Sequence, residues 1–311
     1  IALELGLIIP QVHIRDNVEL PAGNYQINVK GVAVGGGNIA YGQYMAMDPG
    51  TVIDPVAGTP TVEPAFGLDA LWIAAADRDE AEMRGYTVVD GSTVIATHLT
   101  EMVKNNLDEL FGSKELDDVL RITAEHAPKL VDELVPAKVS NGELLRILRN
   151  LVREGVSIRD MRTVLETLAD RITDTRNTDV LTEYVRYRLG PAICAPLADE
   201  VDTIEALRFA GPLSQAVRES LTAIDAEIHV GLDPETAQAL LNQFQQPLEH
   251  FAVSGRQPVL LVPAEIRRPV RDFVARHLPS LSVLSHREIP ARYTVEVVGE
   301  IGVPMLAEGA R

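Results

Sequence analysis

Asn24-Tyr25-Gln26-Ile27-Asn28-Val29-Lys30 alternates, with Tyr25, Ile27 and Val29 on one face and Gln26, Asn28 and Lys30 on the other. A period of two residues is that of a half-buried β-strand. Gly31 permits a turn, Val32 and Val34 resume the alternation, and Gly35-Gly36-Gly37 breaks it as a flexible turn. A second hairpin-like element over 44–47 ends at Asp48-Pro49-Gly50. Pro55, Gly58, Pro60 and Pro64 then exclude a helix and predict an ordered surface loop over 51–64. Strands return over 70–74 and 86–89, so the opening third is β-rich.

Ser92 is placed to cap a helix that runs to about residue 110, with Gly112 as its stop. Over 114–189 the pattern is helical. Ser140 with Glu143, and Ser157 with Asp160, each put an acid three positions after a hydroxyl, which predicts two helix starts. In the second of these helices Ile158, Met161, Leu165, Leu168 and Ile172 make one apolar stripe, the composition of a packed core face. Beyond Pro191 the period switches repeatedly. A strand over 201–207, a helix opened by Asp233-Pro234, a strand over 258–262, a helix over 266–277 and strands near 281–285 and 293–301 predict a small α/β unit. The fold class expected is therefore mixed α/β and α+β, in several subdomains.

A chain of 311 residues is too long for one ordinary core, and 46% hydrophobic with 23% charged residues is a composition that buries cores without staples. The 28 basic against 45 acidic residues leave a net charge of −17, which repels polyanions and argues against nucleic acid as a partner. A local basic patch such as Arg267-Arg268 can still act on anionic lipid over a Debye length of roughly 8 Å, but it reads more simply as a solvated helix face. The single cysteine, Cys194, excludes an internal disulfide and any cysteine zinc cluster, and is read as a small buried hydrophobe in a reducing compartment. No apolar run reaches the roughly 18 residues of a membrane span. The start at Ile1, with no signal-peptide pattern, predicts that sequence upstream is missing.

Catalytic constellations are not found. The seven histidines never adopt His-x-His or His-Glu-x-x-His spacing, so neither metal nor cofactor is expected. Gly112-Ser113-Lys114 lacks the upstream glycine of a P-loop, and no Gly-x-Ser-x-Gly elbow occurs. Asp77 with Asp79 and Asp117 with Asp118 sit among polar neighbours and read as solvated surface positions. The unusual segment is Thr61-Val62-Glu63-Pro64-Ala65-Phe66-Gly67-Leu68. Its proline stiffens the backbone and its glycine permits a sharp turn, so Phe66 is held by a rigid element. Such an aromatic either plugs a joint between subdomains or anchors a partner.

Val12-His13-Ile14-Arg15-Asp16-Asn17, Lys30-Gly31-Val32, Asp48-Pro49-Gly50, Glu63-Pro64-Ala65-Phe66-Gly67-Leu68 and Leu71-Trp72-Ile73 occur in that order. Gly85-Tyr86-Thr87-Val88-Val89, Ala96-Thr97-His98-Leu99, Pro128-Lys129-Leu130-Val131 and the run from Ser157 to Thr163 follow, with Leu260-Leu261-Val262 and Val283-Leu284-Ser285 beyond Pro191. This collinear set resembles the cytoplasmic domain of the flagellar and virulence type III export-gate superfamily, and the His-Ile-Arg-Asp-Asn stretch favours the flagellar branch.

The resemblance implies a longer protein anchored at the cytoplasmic face of the bacterial inner membrane, with nine copies in a ring. It implies a discontinuous first subdomain at 1–41 and 91–110, an inserted second at 42–90, a helical third at 111–190 with ring contacts and an α/β fourth at 191–311. The partners implied are flagellar export chaperones with their cargo and other components of the export apparatus, with no enzymatic activity. Chaperones are expected at a hydrophobic dimple whose key positions fall on Glu63, Phe66 and Thr97. The acidic position is often Asp in the family and is Glu63 here, one methylene longer. Three alternatives stand: a virulence type III secretion export-gate homologue with the same platform role, a purely structural ring component and an α/β enzyme. The Pro- and Gly-containing stretches over 50–64 and at Gly190-Pro191 are the expected hinges.

Overall fold

The computed structural model describes residues 5–7, 11–50, 52–224 and 227–303. Thr51 at the start of the expected loop, and residues 1–4, 8–10, 225–226 and 304–311 of the expected first and fourth subdomains, lie outside that description. The chain divides into two compact units, Ile1–Asp118 and Val119–Arg311. The expected mixture of α/β and α+β architecture is found.

In the first unit, β1 (Asn24–Val29) pairs antiparallel with β2 (Val32–Asn38). Lys30 and Gly31 turn the chain with φ of 50° and 85°, the two left-handed residues that a tight hairpin requires. Gly35-Gly36-Gly37 is not a flexible turn: it lies inside β2, opposite Ile27, Gln26 and Tyr25. A Cβ on Gly35 would stand 2.9 Å from His98 Nε2, and one on Gly37 would stand 3.0 Å from the Tyr25 ring. These glycines are strand positions that admit close neighbours.

A second sheet has the order β4 (Thr59–Val62), β5 (Asp69–Ala74), β3 (Gln43–Met47), β6 (Thr87–Asp90), all antiparallel. The expected loop over 51–64 therefore hides a strand. β4 is an edge strand, and an edge is where a sheet tolerates Pro60. Residues 44–47 form no separate hairpin but the strand β3 between β5 and β6. Between β5 and β6 runs α1 (Arg78–Met83), and β6 leads into α2 (Gly91–Asn105), followed by the short α3 (Leu107–Leu110). The cap of α2 is Asp90, accepting from Thr93 N at 2.7 Å, rather than Ser92, whose hydroxyl donates to the same carboxylate. Met45, Ala70, Trp72 and Val94 pack one face of the sheet, and Ala46, Ile73, Ala81 and Tyr86 the other.

The division between units falls within α4 (Ser113–His126). In the second unit α5 (Pro128–Leu134), α6 (Asn141–Arg153), α7 (Met161–Arg171), α8 (Thr178–Arg188) and α9 (Gly190–Cys194) form the helical part. Ser140 and Glu143 close the predicted capping box on α6. The start of α7 comes later than predicted. Asp160 is the cap, accepting from Thr163 N at 3.0 Å, while the Ser157 hydroxyl accepts from Arg159 N before the helix begins. Ile158 precedes the helix yet is fully buried with Met161, Leu165, Leu168 and Ile172, so the stripe is core as read.

The remaining chain builds a parallel four-stranded sheet of order β11-β10-β7-β12, from β7 (Thr203–Phe209), β10 (Val259–Val262), β11 (Ser282–Ser285) and β12 (Thr294–Ile301). Val259–Val262 is buried at every position, as a central parallel strand covered on both faces must be. Between β7 and β10 come α10 (Gly211–Glu219), a hairpin of β8 (Leu221–Ile224) with β9 (Glu227–Val230), α11 (Pro234–Asn242) capped by Asp233, and α12 (Gln245–Ser254). The crossover from β10 to β11 is α13 (Ala264–Ala275).

The expected hinge at Gly190-Pro191 is instead a tight joint. A Cβ on Gly190 would meet the Glu288 carbonyl oxygen at 2.1 Å, so backbone meets backbone there. Arg267 is likewise not on a solvated face. It is fully buried, and its guanidinium donates to Glu183 Oε2 at 2.6 Å and Glu154 Oε2 at 2.6 Å. Cys194 is buried, as read, and its thiol is pushed up to about 11 by burial and then by Glu288. Among the described residues no helix is long and apolar enough to cross a membrane.

Candidate docking surface

Glu63-Pro64-Ala65-Phe66-Gly67-Leu68 connects β4 to β5, and its conformation follows from helix-capping chemistry compressed into one turn. Glu63 occupies the cap position, Pro64 the first helical position, and Gly67 the left-handed stop at φ 71°. One oxygen of the Glu63 carboxylate accepts from Ala65 N at 2.9 Å and the other from Phe66 N at 2.7 Å. The backbone closes the turn as well, with Gly67 N donating to Glu63 O at 2.9 Å and Glu63 N to Leu68 O at 2.8 Å.

Glu63 and Phe66 are thereby brought together but sent in opposite directions. Glu63 is 3% exposed, so its charge is directed into the protein and spent on the loop's own backbone. Phe66 is 61% exposed, flanked by the exposed Val62 and Leu68. A phenylalanine that is open to solvent on a fully hydrogen-bonded turn is not plugging an interior joint.

Thr97 is half-buried on α2. Its neighbour His98 is buried on the same helix, and His98 Nδ1 is hydrogen-bonded to the Tyr25 hydroxyl at 2.7 Å, with the rings edge to face at 5.7 Å. Tyr25 lies in turn within the field of Glu63: its phenol is pushed up to about 12, by burial first and then by that carboxylate. The sequence contained both residues of this pair but no sign of their meeting, because they are 73 positions apart. The one signal available was the Gly35-Gly36-Gly37 run, which leaves room for them.

A cavity of about 670 Å³ lies apart from this surface, in the second unit, between α8, β9 and α13. Its ionisable walls are largely matched in pairs, Asp179 to Arg268, Glu183 to Arg267 and Glu288 to Arg186. Asp272, in the same lining, has its carboxyl pushed up by burial, with Arg268 at 3.7 Å opposing that rise.

Comparison with known proteins places this geometry. The FHIPEP family matches residues 1–294. The flagellar biosynthesis protein FlhA of Escherichia coli (strain K12) is 39% identical over 301 residues, 97% of this chain and 43% of that protein. FlhA of Bacillus subtilis (strain 168) is 36% identical over 303 residues, 97% of this chain and 45% of that protein. The chain thus spans less than half the length of these relatives. Among solved structures, Chlamydia pneumoniae CdsV superposes with a TM-score of 0.83 at 24% identity, covering 96% of this chain and 87% of that one. The nonameric EPEC SctV-C superposes with a TM-score of 0.76 at 21% identity, covering 96% and 90%. Identities this low speak to fold alone, whereas the matches to FlhA extend over almost the full sequence. The chain belongs to the FHIPEP family.

Proposed function

We propose that this chain is the docking platform of a flagellar type III protein export gate, and that it binds export chaperones carrying their cargo at Glu63, Phe66 and Thr97. On this reading it stands at the cytoplasmic face of the inner membrane, in a ring of nine copies, and has no catalytic role. The four subdomains outlined from sequence are retained as its working division. The higher identity to the flagellar biosynthesis proteins, 36% and 39%, than to the solved structure at 24% supports the flagellar branch.

The observation that carries the docking role is the capped turn: an inward carboxylate fixes the backbone, and Phe66 is presented 61% exposed. Exposed aromatics on pre-ordered backbone are the residues from which interface hot spots are made. Binding there does not pay to order the loop. Phe66→Ala is expected to keep the fold and to lose about 2 kcal/mol or more of binding free energy, roughly thirtyfold in affinity. Calorimetric titration with a flagellin-type chaperone–substrate complex measures it. An affinity equal to that of the unaltered protein removes Phe66 from the site and overturns the reading.

A further inference from the structure

The first unit also holds a half-buried polar contact that the docking residues do not include. Tyr25 on β1 and His98 on α2 are hydrogen-bonded at 2.7 Å, and His98 is 3% exposed. Around them the packing is tight. A side chain at Gly35 would lie 2.9 Å from His98 Nε2 and 3.0 Å from Met102 Sδ, and one at Gly37 would run into the Tyr25 ring.

A helix that packs only through apolar side chains can slide or rotate a little at small cost. A hydrogen bond cannot follow such motion, because one residue along a helix is a rise of about 1.5 Å and a rotation of about 100°. A displacement of that size stretches a 2.7 Å contact beyond any hydrogen bond and leaves the buried His98 nitrogen without its partner. The Tyr25–His98 bond therefore registers α2 against the β1–β2 hairpin. Thr97, the residue before His98, moves with that register. On the other side, the buried Glu63 carboxylate that holds the Phe66 turn acts electrostatically on Tyr25.

We propose that Tyr25 and His98 are positioning residues for docking: their hydrogen bond sets how α2, and with it Thr97, is seated on the β1–β2 hairpin, and so how well the surface matches its partner. This rests on the docking reading above and adds to it two residues that touch no partner. Gly35 and Gly37 belong to the same device, as the backbone that makes space for it.

The test uses the whole chain and the same chaperone–substrate complex, with Phe66→Ala titrated in parallel. Tyr25→Phe removes the hydroxyl and keeps the ring, and His98→Leu removes the nitrogen and keeps the bulk. His98→Asn leaves a polar amide atom near the place of Nδ1. Both hydroxyl- and nitrogen-removing variants are expected to bind about five- to tenfold more weakly. His98→Asn is expected to recover most of that loss, while all three melt within a few degrees of one another. If Phe66→Ala loses binding and Tyr25→Phe and His98→Leu do not, the positioning role is overturned and the docking reading stands. If the two lose affinity only in step with their melting temperatures, and His98→Asn recovers none of it, the pair is merely structural and the proposal is overturned. If Phe66→Ala binds normally, the docking reading itself fails.

Discussion

Glu154→Gln is the substitution that most directly tests how the second unit is held together. Glu154 caps the end of α6, and its carboxylate meets Arg267 of α13 at 2.6 Å and Arg186 of α8 at 3.1 Å. Arg186 continues to Glu288 at 2.7 Å, whose second oxygen accepts from Ser285 N at 2.6 Å. Arg267, Arg186 and Glu288 are each 3% exposed or less. Arg186 Nη1 makes no hydrogen bond, so its attraction to Glu154 is one of charge alone.

Burial by itself would push Glu154 up, but Arg186 and then Arg267 overcome it and hold the carboxyl down to about 2, against an ordinary 4.5. A shift of that size corresponds to ~3 kcal/mol at neutral pH, the lower end of the range for removing one partner of a buried pair. Because the folded value lies below the unfolded one, this stabilisation is complete above about pH 4.5 and is lost as the pH falls toward 2. The amide variant is therefore expected to melt about 10 °C lower at pH 7 in calorimetry, for a unit of this size. The gap is expected to close on acidification, since the native protein then loses the same charge. Equal melting at pH 7, or a gap that stays constant down to pH 2.5, refutes the reasoning.

Gly190→Ala replaces glycine by the best helix former inside α9, so propensity alone predicts a gain of about 1 kcal/mol. The structure predicts the opposite sign, a loss of roughly 3 kcal/mol from the 2.1 Å approach to the Glu288 carbonyl, read from urea unfolding. Cys194, fully buried and with its thiol raised to about 11, is expected to resist iodoacetamide at pH 8 until the chain is unfolded. Rapid alkylation of the folded protein contradicts that burial.

Local chemistry was legible where the deciding partner is close in sequence. The alternation of Tyr25, Ile27 and Val29 gave β1, Ser140 with Glu143 gave a capping box, and Asp233-Pro234 gave a helix start. What stayed hidden depends on distant neighbours. Pro60 argues against a strand unless that strand is at a sheet edge, and only the pairing of β4 with β5 alone shows that it is. Glycine runs and Gly-Pro steps read as freedom, yet Gly35, Gly37 and Gly190 are glycines because something far along the chain needs their space. Arg267 shows the same blindness with charge. Its partners Glu154 and Glu183 lie 113 and 84 residues away, and without them a buried guanidinium has no justification.

Of the three candidate docking residues, Glu63 changes meaning most. Read from sequence it is an acidic position beside an aromatic, one methylene longer than the Asp often found there. In the fold both of its oxygens are taken by Ala65 N and Phe66 N, and only 3% of the residue meets solvent. A charge so placed is screened from an incoming protein by the loop it caps, and its donors would have to be released before a partner could use it. Under the docking reading, selectivity at this contact then rests on the shape of Phe66 and on the hydroxyl of Thr97, not on a local ion pair. The −17 charge of the chain acts differently, through the summed field of many exposed carboxylates, which speeds encounter with basic partners at low salt. On that reading the two effects separate cleanly: ionic strength is expected to set how fast a partner arrives, and the capped turn how long it stays.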